Sequence, residues 1–360
     1  MTSQKPRRAR PAWPSNVSAR LLLSTAICAL SLMGGCRQSD ARDLADAAVS
    51  HACDVDGPVG TTVTLLGTAG GPIHRRLRSQ PASLLSVNGA HYLIDAGDGV
   101  VRQLTQAGIP VAEVRQTFLT HLHADHVAGL APLFLFSWTS AKARPMMVYG
   151  PPGTRRLVRT ALDYIDTPVS IHRLQYPPVP MPAELFSAEE PGVSGDVEPS
   201  LIYEDENVSV YAIENSHYTT MPAFIHPYGA DRSFSYRFDT TDRSVVFSGD
   251  TGTSHALAKL AKDADVLVIE VIDLERQKEV VREMSGLPDS QLKMVMDHMA
   301  KEHISPDQIG LLATQASVDQ VVLTHVVPGL DSEQDIAPYV SGVRQYYAGA
   351  VQLGSDFDCF

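Results

Sequence analysis

The stretch Thr120-His121-Leu122-His123-Ala124-Asp125-His126 constrains this chain more than any other. It packs three imidazoles and a carboxylate into six residues, after the β-prone run Gln116 to Leu119 and before an apolar stretch opening at Gly129. Buried His and Asp need partners, so such a cluster at a strand-to-helix turn costs several kcal/mol unless a cation neutralises it. Spacing supports a cation. In extended chain, residues two apart point the same way, so His121 and His123 can seize one metal together. Asp125 and His126 lie past the turn and can reach a second metal a few ångströms away. Imidazole and carboxylate suit Zn²⁺, with Fe²⁺ or Mn²⁺ as alternatives.

Around this segment the chain alternates short β-rich runs with helical ones. Runs at 62–66, 83–87, 91–94, 146–149, 209–213, 235–238, 244–248, 266–270 and 321–324 read as strands, and 100–107 and 254–261 read as helices. Ser305-Pro306-Asp307-Gln308 opens a helix to about Ala316, with Ser at the N-cap, Pro at the first helical position and Gln three residues on. The Pro-rich stretch 176–200 reads as a surface excursion. Strands and helices mixed in this way point to an α/β fold of layers around one core.

The segment resembles the signature of the metallo-β-lactamase superfamily, and the chain supplies that family's other landmarks in order over residues 60 to 330. Leu65-Leu66-Gly67-Thr68 resembles its first strand and turn; Ile94-Asp95-Ala96-Gly97 resembles the motif whose Asp braces the ligand histidines. Asn215-Ser216-His217, Phe247-Ser248-Gly249-Asp250-Thr251 and Leu323-Thr324-His325 supply the remaining ligands. The resemblance implies an αββα sandwich, two mixed β-sheets flanked by helices. It assigns His121, His123 and His217 to metal one, Asp125, His126 and His325 to metal two, and Asp250 to the bridge, most simply around two Zn²⁺. A bridging carboxylate at Asp250, where many true β-lactamases have cysteine, ranks antibiotic hydrolysis lower.

Glu302-His303-Ile304-Ser305 resembles the His motif of the ribonuclease Z and arylsulfatase-like branch, where the histidine contacts the scissile group. His303 is therefore expected to be catalytic with Asp250; the plainer reading is that it ends a helix running from Ser290. The resemblance implies hydrolysis of a phosphodiester or sulfate (aryl) ester by a metal-activated bridging hydroxide. A lactonase, a β-lactamase, a ribonuclease Z-type endoribonuclease and a noncatalytic metal-binding protein stay open. Only thirty-two residues separate His217 from Asp250, where tRNA-processing relatives carry a long substrate-gripping arm. Arg75, Arg76 and Arg78 could meet an anionic substrate or form a solvated loop. His51, His74, His91, His172, His226 and His255 have no ligand spacing, and His298 is a weaker rival to His303.

Lys5, Arg7, Arg8, Arg10 and Arg20 precede an apolar run from Leu21 to Gly35 with no acid before it, the layout of an export signal. Leu32-Met33-Gly34-Gly35-Cys36 resembles a lipoprotein signal with Cys36 as the lipidated residue, which would anchor the chain to a membrane. The domain expectation is thus a signal at 1–35, a polar tether at 36–58 and a catalytic domain at 59–360, in a periplasmic or membrane-anchored protein. Removing residues 1–35 takes away five positive charges and moves the formal charge from −12 to −17. So acidic a surface disfavours nonspecific polyanion binding, and the expected partner is a small-molecule or surface-polymer ester, with nucleic acid set aside. A homodimer is open, since related enzymes are often dimers. In an oxidising compartment Cys53 and Cys359 could form a disulfide.

Overall fold

The computed structural model describes residues 60–140, 143–175, 180–220, 224–332 and 336–360. The expected signal and tether, with Cys36, His51 and Cys53, lie outside the described residues. Among those described, no helix is long and apolar enough to cross a membrane.

Strand chemistry sets the first half. β1 (Thr61–Gly67), β2 (Ala82–Val87) and β3 (Ala90–Ile94) form an antiparallel meander. Asn88 and Gly89 turn β2 into β3 with positive φ at both positions, 50° and 78°, which the two-residue hairpin demands and which these residue types tolerate. Helix α1 (Val100–Gln106) then leads to β4 (Val114–Phe118), which lies parallel to β3. After the short α2 (Ala124–Val127) and α3 (Leu130–Trp138), β5 (Met146–Tyr149) adds in parallel, followed by the long α4 (Thr154–His172). The described part of the Pro-rich stretch, 180–200, is more than the expected surface excursion: α5 (Pro182–Leu185) runs into β6 (Phe186–Glu189), the sixth strand of the sheet β1-β2-β3-β4-β5-β6. Phe186 drives that outcome, because it is buried and stacks on Phe134 of α3 at 4.8 Å.

The second half builds a seven-stranded sheet from β7 (Ser200–Glu204), β8 (Ser209–Glu214), β11 (Phe234–Asp239), β12 (Ser244–Phe247), β13 (Val266–Ile272), β14 (Gln320–Val327) and β15 (Ala350–Leu353), with a small hairpin, β9 (Ile225–His226) and β10 (Gly229–Ala230), beside it. Between these strands lie α6 (His255–Leu260), α7 (Leu274–Ser285), α8 (Asp289–Glu302), α9 (Pro306–Ala316) and α10 (Ala337–Arg344). The Ser305 capping box forms, with the Ser305 N–H donating to Gln308 Oε1 at 3.0 Å.

Period-two alternation then sorts side chains into layers. Val63, Tyr92, Phe118, Tyr236, Phe238, Val266 and Val268 fill the space between the two sheets. Their neighbours Leu84 and Leu93 face α1, α3 and α4, while Leu267, Ile269 and Leu323 face α6, α9 and α10. Strands buried on both faces read as unbroken apolar runs, which is why Val266–Ile272 is apolar except for one acid. The result is the αββα sandwich of two mixed sheets flanked by helices.

Residues 357–360 close the open edge of β1: Val63 and Phe360 exchange both backbone hydrogen bonds at 3.0 Å, and Cys359 is disulfide-bonded. Just upstream, Asp356 accepts from Thr68 N–H (3.0 Å) and hydroxyl (2.7 Å), from Ser79 N–H (2.7 Å) and from Gln103 (3.1 Å). Removing the carboxylate strands four donors. Asp356→Ala is expected to cost about 3 kcal/mol in chemical denaturation. A loss below about 1 kcal/mol would show that water replaces the carboxylate without penalty.

Candidate metal centre

Strand ends deliver the donors. Asp95 follows β3 in a left-handed conformation with φ 60°. Its carboxylate accepts from the Thr120 N–H (2.8 Å) and hydroxyl, and from His126 Nδ1 (2.8 Å). This fixes the loop after β4 and commits the His126 proton to Nδ1, leaving Nε2 as a lone pair aimed away from Asp95. His217, after β8, is oriented in the same manner: its Nδ1 donates to the Glu302 carbonyl at 3.0 Å. Asp250 follows β12 across Gly249, whose φ of 60° and close approach to Thr120 exclude a side chain.

His325 arrives differently from the strand-end position expected of it. β14 runs on to Val327, and His325 is an extra residue opposite the Glu270/Val271 step, with φ 43°. Such a bulge re-aims a side chain out of the ladder, and here it swings the imidazole onto the other donors.

The donors form two groups. In the first, His123 Nδ1 lies 3.0 Å from His121 Nε2 and 3.2 Å from His217 Nε2, and Asp250 Oδ2 lies 3.8 Å from His121 Nε2. In the second, His126 Nε2 and His325 Nε2 lie 3.2 and 3.3 Å from Asp250 Oδ1, and each is 3.5 Å from Asp125 Oδ2. Asp250 thus offers one oxygen to each group. All seven side chains except His123 are buried.

This arrangement fits two cations. His126 Nε2, Asp250 Oδ1 and both His325 ring nitrogens are buried without a hydrogen-bond partner. Lone pairs converging at such distances repel unless a cation sits among them. Burial pulls the His121 imidazole well below its ordinary value and His217 down to about 3, holding both neutral as ligands must be, whereas His126 and His325, against burial, are pushed above theirs by Asp250 and its neighbouring carboxylates, a charge that a bound cation would replace. Burial works against ionising Asp125 and Asp250, yet the surrounding histidines hold both below the usual carboxylate range, Asp125 at about 2. Gly71 passes so close to Asp125 that a Cβ there would lie 1.9 Å from Oδ2, so the turn after β1 presses that carboxylate inward.

Asp95→Asn tests the bracing. An amide nitrogen facing His126 Nδ1 would force the ring proton to Nε2 and block it as a ligand. The expected outcome is about 10–100-fold weaker binding of the second metal equivalent by competition with a chelator, the first being unchanged. Equal loss of both equivalents would mean that Asp95 only supports the fold.

His303 is the residue immediately after α8, at the rim of the centre, and its side chain is 15% exposed. One of its nitrogens lies within 4.8 Å of donors on Asp250 and His325. Its Nδ1 meets Glu270 Oε2 at 2.7 Å. Burial opposes a charge on His303, but Glu270 and Asp250 outweigh it and push the imidazole up to about 9. Burial raises the Glu270 carboxyl as well, so the pair shares a proton, and that proton rests on the ring. Glu270 also accepts from the Thr251 N–H beside Asp250, tying this dyad to the bridging carboxylate. Glu270 is not among the residues that the sequence motifs single out. Its available signal was a lone acid inside an apolar strand, Val266–Ile272.

The remaining candidates join neither donor group. Arg78 is half-buried, donating to the Thr68 hydroxyl at 2.7 Å and the Gly354 carbonyl at 2.8 Å. His74 pairs with Asp98, His91 with Ser86 and His226 with Asp231; His172 contacts Trp138, and His255 opens α6. His298 pairs with Glu302 at 2.9 Å, one turn back on α8.

Comparison with known proteins agrees with this geometry. The family described as β-lactamase superfamily domain matches residues 91–326. Ribonuclease Z of Mycobacterium avium (strain 104) is 30% identical over 297 residues, covering 82% of this chain and 95% of that protein. Ribonuclease Z of Mycobacterium marinum is 26% identical over 82% of this chain and 96% of its own length. Among solved structures, the short form of human tRNase Z matches with a TM-score of 0.55 at 22% identity, covering 83% of this chain and 98% of that one. A metallo-β-lactamase fold protein from Bacillus subtilis, YhfI, also scores 0.55, at 15% identity, covering 83% of this chain and 98% of its own.

One expectation falls. Net charge set nucleic acid aside, yet the curated relatives are ribonucleases. Charge summed over a chain says little about local fields: Arg75, Arg76, Arg78 and Arg102, against Asp98 and Asp356, line one cleft of about 540 Å³ on a protein of net charge −12. The match over residues 91–326 and the 30% identity to a full-length relative establish that this chain is a metal-dependent hydrolase of the metallo-β-lactamase superfamily, standing with ribonuclease Z.

Proposed function

We propose that this protein is a binuclear phosphodiesterase that cleaves RNA, with two zinc ions held by the two donor groups around Asp250. When bound, the metal pair activates a water and neutralises charge on the phosphoryl oxygens. The chain's own residues do the rest. Asp250 divides its two oxygens between the groups and fixes their separation. Asp95 and the Glu302 carbonyl hold His126 and His217 in the tautomers that present Nε2.

The observation carrying the proposal is the His303–Glu270 pair. With Nδ1 tied to Glu270, a protonated His303 has Nε2 free to donate to a departing oxygen. A ribose alkoxide is far more basic than a phenolate and needs that proton, whereas the phenolate released from an aryl sulfate departs without it. A stored proton at the rim therefore favours an RNA phosphodiester over an aryl ester. The ribonuclease relatives support the same reading. Export is part of the proposal, motivated by the basic and then apolar layout of residues 1–35; fractionation that leaves the protein in the cytoplasm would remove it.

The test compares an oligoribonucleotide, bis-p-nitrophenyl phosphate and p-nitrophenyl sulfate as substrates. Chelator-sensitive cleavage of RNA and of the phosphodiester is expected. Cleavage of the sulfate alone would overturn the proposal.

A further inference from the structure

The hairpin of β9 and β10 follows the ligand His217 and displays aromatic rings that the metal centre does not use. Phe224 is 62% exposed and Ile225 78% exposed. The Phe224 ring stands edge-on to His226 with centroids 4.4 Å apart, and His226 lies flat on Tyr228 at 4.5 Å and 7°. His226 is held in that plane by Asp231, 3.0 Å from its Nε2. The Arg156 guanidinium, in the first turn of α4, sits 5.8 Å over the Tyr228 ring.

This column is fastened to the ligand loop. Gly153 is pinched between Tyr228 and Leu122, the residue separating His121 from His123, so a Cβ there would lie 3.0 and 2.9 Å from them. Gly229 packs likewise on Pro152. Directly after the hairpin, Phe234 N–H donates to the Thr120 carbonyl at 2.8 Å. Phe224 and Ile225 thus form an exposed apolar patch at a fixed spot, with His226 and Tyr228 half-buried beside them. Arg155 and Arg156 add exposed positive charge in the first turn of α4, where the helix dipole disfavours cations and favours anions.

We propose that Phe224, His226 and Tyr228, with Arg156, form a stacking platform for a nucleobase flanking the scissile phosphate. Every base has a π face, and a guanidinium beside the rings can stack on a base or meet the adjoining phosphate. The platform supplies affinity and places the strand; it takes no part in bond breaking. It rests on the phosphodiesterase reading, and separate binding and turnover measurements tell the two apart.

Isothermal titration of the zinc-loaded protein with a four-nucleotide oligoadenylate of non-hydrolysable backbone, and with the same backbone lacking bases, tests the platform, turnover being followed separately on both strands with natural linkages. Wild type is expected to bind the base-bearing strand about tenfold more tightly. Phe224→Ala and His226→Ala are expected to bring that preference under about twofold with melting temperature unchanged, and Phe224→Trp to keep it. Equal binding of the two strands by wild type, or equal weakening of both by Phe224→Ala, would overturn the platform. So would a Phe224 dependence confined to bis-p-nitrophenyl phosphate, which would make the occupant a small aryl group. A protein that prefers bases but cleaves no RNA keeps the platform and loses the phosphodiesterase reading; one that cleaves both strands with equal affinity does the reverse.

Discussion

Asp250→Ala is expected to abolish hydrolysis and to dismantle the centre. Wild-type protein should carry about two divalent metals per chain, and the variant one or fewer by mass spectrometry. Both groups lose a donor at once, because Oδ2 faces His121 and Oδ1 faces His126 and His325. Metal-derived charge stabilisation is worth several kcal/mol, so kcat/KM should drop by about 10⁴-fold or more. The variant should still fold. Asp250 lies in the loop after β12 and takes no part in the strand ladders, so its removal leaves the sheets untouched. A variant that keeps two metals would deny Asp250 its bridging position.

His303→Ala should behave otherwise, retaining both metals while losing about 10²–10⁴-fold in kcat on an oligoribonucleotide. On bis-p-nitrophenyl phosphate the loss should be much smaller, since p-nitrophenolate departs unaided. Glu270→Gln separates holding the proton from donating it. The folded His303 value lies above its ordinary one, so the ring is protonated at neutral pH and the rate is lost as pH rises through the raised value, about 9 for the chain alone and lower beside bound cations. Without the Glu270 charge that value drops, and the alkaline limb of the rate profile should move toward lower pH. A limb unmoved in Glu270→Gln, or equal loss on both substrates in His303→Ala, would assign His303 a structural role.

Much of this architecture is legible in the residues, for identifiable reasons. Four donors packed into His121–His126 have no cheap burial without metal, so that segment announces itself. Runs such as Val266–Ile272, apolar on both faces, place central strands, and Ser305-Pro306 places a helix start through local capping. What escapes notice depends on distant partners. Glu270 gains meaning only when α8 ends with His303 against it, thirty-three residues away. The His325 bulge needs the register of β13 against β14. β6 looks like loop from its own composition, and its place is set by Phe186 meeting Phe134. Net charge misled about nucleic acid because it averages over a surface on which cations are clustered.

The most direct test is metal titration of chelator-stripped protein, following oligoribonucleotide cleavage. No cleavage is expected without metal, and the rate should rise through the second equivalent of zinc, with the second phase absent in Asp250→Ala. Cleavage by stripped protein, or a rate saturating at one equivalent in wild type, would contradict the binuclear centre.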